Sequence, residues 1–334
     1  TSTGVLTTQA LTINSGATIS DSNLGTVNTT NLSLGSSFGN INLTNPITAL
    51  GSVSLSATGQ VTAVGVINTN SLTALSSTRN IAIASTTALH ASVNAATSIA
   101  VTGTAPAGTL VLDATNAGSF LQITTTATDL LMAGNVASAG NTALNIAGSL
   151  TNNGSITSSG GNVQVTTGGS FTSNAAVTAT AGGLTVLSGS NLTNNNSWTA
   201  GSGDITAITT GGTITFAPGS AAIASNNVIL SASNDVSLGA VAGAAVEISG
   251  GQSTTTSFAV MPVGSITQNG KITISGDNVR LYDFVNITTH GGATTAGTGD
   301  LAIQANGNVE IGQSNTLTAY GGDVIINASG NITS

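Results

Sequence analysis

Cysteine is absent from the 334 residues, which excludes disulfides, thiolate metal sites and a cysteine nucleophile. Charge is nearly absent as well. Three cations, Arg79, Lys271 and Arg280, stand against eleven acids, and only 4% of the chain is charged, where ordinary domains carry about 25%. A net charge of -8 with so few bases cannot lay down the cationic stripe that phosphate backbones or anionic lipids require. Neither a nucleic acid partner nor membrane insertion is therefore expected, and no run approaches the ~18 consecutive apolar residues of a membrane helix. Aromatics are 3% and prolines number four, so a bulky aromatic core is excluded. Thr1 to Gly4 lack the basic n-region of a signal peptide and read as a mature start or a boundary within a longer chain.

What remains is aliphatic and small. Hydrophobic residues make up 40% and glycine alone supplies 43 positions, with Ser, Thr and Asn filling most of the rest. That much regularly placed aliphatic side chain argues against a disordered Gly/Ser tract. The placement is periodic. Leu150, Phe171 and Leu192 recur at steps of 21, as do Ile156, Val177 and Trp198, and Val163, Leu184 and Ile205; Gly161, Gly182 and Gly203 keep the same step. Toward the C-terminus, Gly299-Asp300-Leu301-Ala302-Ile303 maps onto Gly322-Asp323-Val324-Ile325-Ile326 with a step of 23.

Each unit carries apolar-x-apolar triplets such as Ile41-Asn42-Leu43, Val53-Ser54-Leu55, Val163-Gln164-Val165 and Ile272-Thr273-Ile274. These read as short strands of period two, bounded by Gly, Asn and Asp turns. No segment shows a capped helical stripe. A triplet cannot bury its apolar face alone, but stacked copies can. The expected fold is all-β: a right-handed parallel β-helix, or β-solenoid, with about three short strands per rung of ~19–23 residues, the rungs spaced ~4.8 Å apart. The nine residues of the three 21-step columns are the expected core. One continuous solenoid over 1–334 is expected, with irregular rungs in 1–140, insert-like stretches at 84–98 and 113–128, and regular 21-residue rungs in 141–250. A projecting loop is expected at 251–265, with further rungs in 266–334.

The run from Leu144 to Ile205, with its phrase GSLTNNGSITSSGGNVQV, resembles the repeats of filamentous haemagglutinin-like adhesins. These are Gram-negative exoproteins of two-partner secretion, whose architecture autotransporter passengers share. The resemblance covers 140–216 and 266–334 most closely. It implies a secreted, cell-surface filament rather than any particular ligand. The secretion-domain motif of that family, Asn-Pro-Asn-Gly, is not matched at Asn45-Pro46-Ile47-Thr48, so that domain is absent, diverged or outside this chain.

Parallel β-helices also carry polysaccharide lyases and hydrolases, which need convergent carboxylates. The densest set of chemistry-bearing residues lies at 271–283: Lys271, Asp277, Arg280, Tyr282 and Asp283. In a strand Asp277 and Arg280 face opposite ways, so solvated corner charges are the expected reading. His90 and His290 lie too far apart in sequence to share a metal. Gly201-Ser202-Gly203-Asp204-Ile205 and Gly297-Thr298-Gly299-Asp300-Leu301 match the calcium-binding nonapeptide only in isolated copies. No catalytic residue, metal or cofactor is expected, and Trp198 is expected as core filler rather than a sugar platform. The expected function is an extracellular structural or adhesive rod or fibre segment without catalysis. A carbohydrate-active enzyme with a site near 271–283 and a Thr-rich ice-binding solenoid are the alternatives. Against ice binding, no Thr column is expected to persist at fixed spacing across several rungs. Expected partners are a host or cell-surface glycan or protein, and end-to-end stacking or flanking rungs, because residues 320–334 and Thr1 to Ala10 carry almost no charge and no proline to blunt a strand edge.

Overall fold

The computed structural model describes residues 5–20, 26–104, 109–126, 129–217, 219–234, 236–238, 240–242, 245–250, 258–262, 265–268, 272–276, 279–281, 286–290, 301–305, 309–311, 316–320 and 323–334. Among these residues the regular elements are strands, from Val5–Ser15 to Ile332–Thr333, with no helix. The chain divides into two compact units, Thr1–Gly160 and Gly161–Ser334. Each is a parallel β-solenoid in which a strand pairs with its counterpart one rung earlier and one rung later.

The second unit shows the rung most plainly. Val163–Thr167, Phe171–Ser173 and Val177–Ala179 form one coil; Leu184–Ser188, Leu192–Asn194 and Ser197–Ala200 form the next. Strands this short arise because apolar residues alternate for only two or three positions before Gly, Asn or Ser breaks the run. Parallel register then aligns like with like: Val163 with Leu184 and Leu184 with Ile205, Phe171 with Leu192, Val177 with Trp198. In the first unit Leu130 aligns with Leu150 and Val136 with Ile156. Leu150, Ile156, Val163, Phe171, Val177, Leu184, Leu192, Trp198 and Ile205 are all buried. Each such side chain contributes about 1.5–3 kcal/mol by leaving water.

The first unit begins differently. Val5–Ser15, Thr26–Ser36 and Ile47–Ala57 are strands of 11 residues each. Here two sides of the coil run together without a break, and a shorter strand such as Ile41–Leu43 or Val61–Ala63 supplies the remaining side. From Thr109–Leu112 and Thr115–Ala117 onward the long strand is split in two and rungs have three strands. The stretches 84–98 and 113–128 are not inserts. They hold rung strands His90–Ala95 and Leu121–Thr125, paired in parallel on both sides. Their periodicity was concealed because corner lengths change there while the inward alternation continues.

Rung length is also broader than 19–23. Ile81 aligns with Ile99, a step of 18, whereas Val279 aligns with Val309, a step of 30. Corners absorb the difference, since only the strands must match. For the same reason 251–265 is not wholly a projecting loop. Phe258–Pro262 is a strand between Val236–Leu238 and Val279–Leu281; its continuous apolar sequence is consistent with a rung strand, while 251–257 and 263–264 lie outside the described residues.

The corners explain the composition. Buried hydroxyls sit at the inward position where each strand ends and bond the carbonyls of the turn. Ser36 Oγ donates to Ala17 O at 2.8 Å, Ser188 Oγ to Gly169 O at 2.9 Å and Thr209 Oγ1 to Gly212 O at 2.9 Å. Outward Asn and Asp oxygens accept backbone N–H groups of the following rung: Asn162 Oδ1 from Gly183 at 2.8 Å, Asn191 Oδ1 from Thr213 at 3.0 Å and Asp129 Oδ1 from Ser149 at 2.7 Å. Polar groups that would be costly inside are thereby satisfied. Glycine is needed where rungs touch at a corner: a Cβ on Gly189 would run into the carbonyl of Gly168 one rung away. Gly189→Val is therefore expected to destabilise the chain by about 2 kcal/mol or more, read as a lowered denaturant midpoint. Gln164→Val, at an exposed outward position of a neighbouring strand, is expected to leave the midpoint within about 0.5 kcal/mol.

Candidate functional site

The proposed chemistry at 271–283 lies largely beyond the described residues: Lys271, Asp277, Tyr282 and Asp283 fall outside them. Arg280 occupies the strand Val279–Leu281, with its backbone in register with Ala259 and Glu310. Of the calcium-like turns, Gly297 to Asp300 also falls outside. Asp204 is described, and its Oδ1 accepts the backbone N–H of Asn227 at 2.9 Å. That carboxylate does the same corner work as Asn162 and Asn191. No three His, Cys, Asp or Glu side chains converge among the described residues. His90 is exposed at the start of its strand.

Trp198 lies inside the coil with no exposed surface, aligned between Val177 and Ala222. Small neighbours in its own column leave room for the indole, which stacks on Phe171 at 5.9 Å and meets the edge of Phe216 at 5.4 Å. These three rings come from three successive rungs and two neighbouring ladders, so no single 21-residue column could reveal the cluster. Trp198 Nε1 has no hydrogen-bond partner, a cost of about 1–3 kcal/mol for a buried donor.

Thr columns persist: Thr172, Thr193 and Thr215 are in register on one side of the second unit, followed by Ser237. Thr178 pairs with Thr199 and Thr185 with Thr206 on the other two sides. The steps of the first column are 21 and then 22 residues, so its spacing is not fixed and it is legible only from the parallel register. These columns are half-buried, uncharged and spaced at the strand repeat, beside an exposed amide contact from Asn195 Nδ2 to Asn174 Oδ1 of 2.7 Å.

No family model, no curated protein and no solved structure matches this chain. The class that the geometry defines is a β-helical repeat protein.

Trp198 is the only tryptophan, so its burial is directly measurable. Emission should be blue-shifted and slow to quench with acrylamide until the coil unfolds. Trp198→Ala is expected to cost about 3–5 kcal/mol. Trp198→Phe, which removes the unpartnered donor while keeping a ring, should cost about 1 kcal/mol or less.

Proposed function

We propose that this chain is an extracellular structural and adhesive segment of a bacterial surface or secreted exoprotein, working through its outward surface rather than by catalysis. The observation that carries the reading is the set of uncharged outward Thr columns, with Thr172, Thr193 and Thr215 held in register along one side. A surface of this kind offers many weak, equivalent hydrogen-bonding contacts to a host or cell-surface glycan or protein. The resemblance of 140–216 and 266–334 to haemagglutinin-like repeats supports the same reading, as does the scarcity of charge.

The end strands add a second partner class. Val5–Ser15 pairs with Thr26–Ser36, and Val324–Ala328 with Leu301–Ala305. Val5, Leu6, Val324 and Ile332 are exposed apolar residues on these end rungs. Parallel edges of this kind template further strands, so the second proposed partner is a neighbouring copy stacked end to end.

The adhesive reading is tested by binding of the purified chain to bacterial or host cell surfaces, and the structural one by negative-stain microscopy. Surface binding together with elongated particles that shorten when a charged, proline-containing cap follows Ser334 is the expected result. Polysaccharide cleavage lost in Asp277→Ala or Asp283→Ala would replace this reading with the enzymatic one. The register of Thr172, Thr193 and Thr215 also favours an ice-binding face as a second reading. Thermal hysteresis lost in Thr193→Leu would establish it.

A further inference from the structure

The adhesive reading leaves open where on the surface a ligand would sit and what it would be. Among the described residues of the first unit the parallel register slips at two places, between Ile81–Thr86 and Ile99–Gly103 and within Ile47–Ala57, and the second lies beside an open groove. Within Ile47–Ala57, Ala49 aligns with Thr29 on one side and Thr69 on the other, but Ser52 aligns with Asn31 and Ser71. Relative to both neighbours the middle strand holds one extra residue, at Leu50-Gly51. This is a β-bulge, a device that re-aims a side chain. Its consequence is visible in Leu50, which stands 67% exposed.

The bulge is held from both sides. Thr29 Oγ1 donates to Asn31 O at 3.0 Å, and Thr69 Oγ1 to Gly51 O at 3.3 Å and Ser71 O at 3.1 Å. Asn31 Oδ1 accepts both the Ser52 N–H at 3.2 Å and the Ser52 hydroxyl at 2.9 Å. A Cβ on Gly51 would crowd Asn31 Oδ1 and Thr30 O, so the extra residue is fitted closely to its surroundings.

Outside the bulge lies an open groove of about 540 Å³ that crosses three rungs. One wall is the column Thr7, Asn28 and Thr48, in parallel register. The other is Gln9, Thr30 and the displaced Leu50. Unlike Asn31, Asn162 or Asn191, the polar members of these walls spend none of their side-chain groups on holding rungs together. Residues 1–78 contain a single charged side chain, Asp21. Thr26–Ser36 and Ile47–Ala57, which carry Asn28, Thr30, Thr48 and Leu50, are paired on both sides, and Val5–Ser15 is paired on one; a peptide extending that outer edge would add a strand beside Thr7 and Gln9 rather than fill the groove.

We propose that this groove binds an uncharged polysaccharide chain, laid along the coil axis. The inference rests on the adhesive reading and specifies its ligand class and site. The hydroxyls of Thr7, Thr30 and Thr48 and the amides of Gln9 and Asn28 both donate and accept, which matches sugar hydroxyls. Leu50 offers an apolar contact for the C–H face of a pyranose ring. The wall columns repeat at the strand spacing of ~4.8 Å, close to the advance of one equatorially linked ring. An anionic glycan would find no cation here.

The test titrates the whole 334-residue chain with cellohexaose, mannohexaose and maltohexaose, and with hexasaccharides of galacturonate and heparin, by calorimetry at low and high salt. The expected result is binding of at least one neutral hexasaccharide, unchanged by salt. Affinity should fall about tenfold or more in Asn28→Ala and in Leu50→Asp, as loss of a hydrogen-bonding or apolar contact implies. Gln164→Ala, at an exposed outward position of the second unit, should leave it unchanged. Circular dichroism and the denaturant midpoint confirm that the variants fold; Leu50→Asp changes only an exposed side chain. Absence of neutral binding, binding confined to the anionic sugars, or full affinity in both groove variants overturns the proposal. If cell surfaces bind equally well to the wild-type chain and both groove variants, the groove inference falls and the adhesive reading stands. If neutral sugars bind the groove but no cell surface binds the chain, the reverse holds.

Discussion

A strand of three residues such as Phe171–Ser173 has no stability of its own; it exists because an aligned strand lies on each side of it. Parallel register between successive rungs is the constraint on which everything else depends. It requires that inward side chains meet their counterparts one strand spacing away, which rewards columns of similar aliphatic residues. It makes stacked charges unfavourable for the same reason. It demands nothing of the residues between strands except that they return the chain in time, and rung steps from 18 to 30 show how loosely that demand is set.

Corners are where the constraint is hardest to satisfy. The chain must turn at each side of every coil, and each turn brings backbone carbonyls and N–H groups close to the interior. Inward Ser and Thr at strand ends, outward Asn and Asp one rung away, and glycine at points of contact divide this work between them. Ser188, Asn191 and Gly189 do so within four residues of one another. The Ser, Thr, Asn and Gly content that looks like low complexity is thus a set of specific positions. Asp204 shows why a charged residue in such a turn needs no metal to account for it: its oxygen holds the next rung.

Much of the coil was legible because equal steps are visible without any structure. Val163, Leu184 and Ile205 repeat at 21 because their rungs have corners of equal length, and they align in parallel. Where corner lengths vary, the same alternation is present but its period is not. His90–Ala95 and Leu121–Thr125 therefore looked like inserts, and Phe258–Pro262 like part of a loop. The exterior was harder still to read. Thr172, Thr193 and Thr215 form a column only once the step of 22 between Thr193 and Thr215 is allowed beside the step of 21. The groove at Leu50 depends on a one-residue mismatch between strands, which no composition or period encodes. The aromatic cluster around Trp198 crosses ladders, and a search down single columns misses it.

The separation of inside from outside also shapes what this surface is able to do. In the central strands the backbone is satisfied by neighbouring rungs, so an outward side chain is free to change without cost to the coil. Recognition can then be written along the exterior in repeated, independent contacts. An almost uncharged exterior has no long-range field to steer a partner, and each hydroxyl contact nets only about 1 kcal/mol against water. Affinity from such contacts must come from their number. A coil that presents polar columns over several successive rungs supplies that number within one molecule, and linked copies multiply it further through effective concentration. Repetition thus answers two requirements at once: the short strand needs aligned neighbours to exist, and the weak contact needs aligned neighbours to matter.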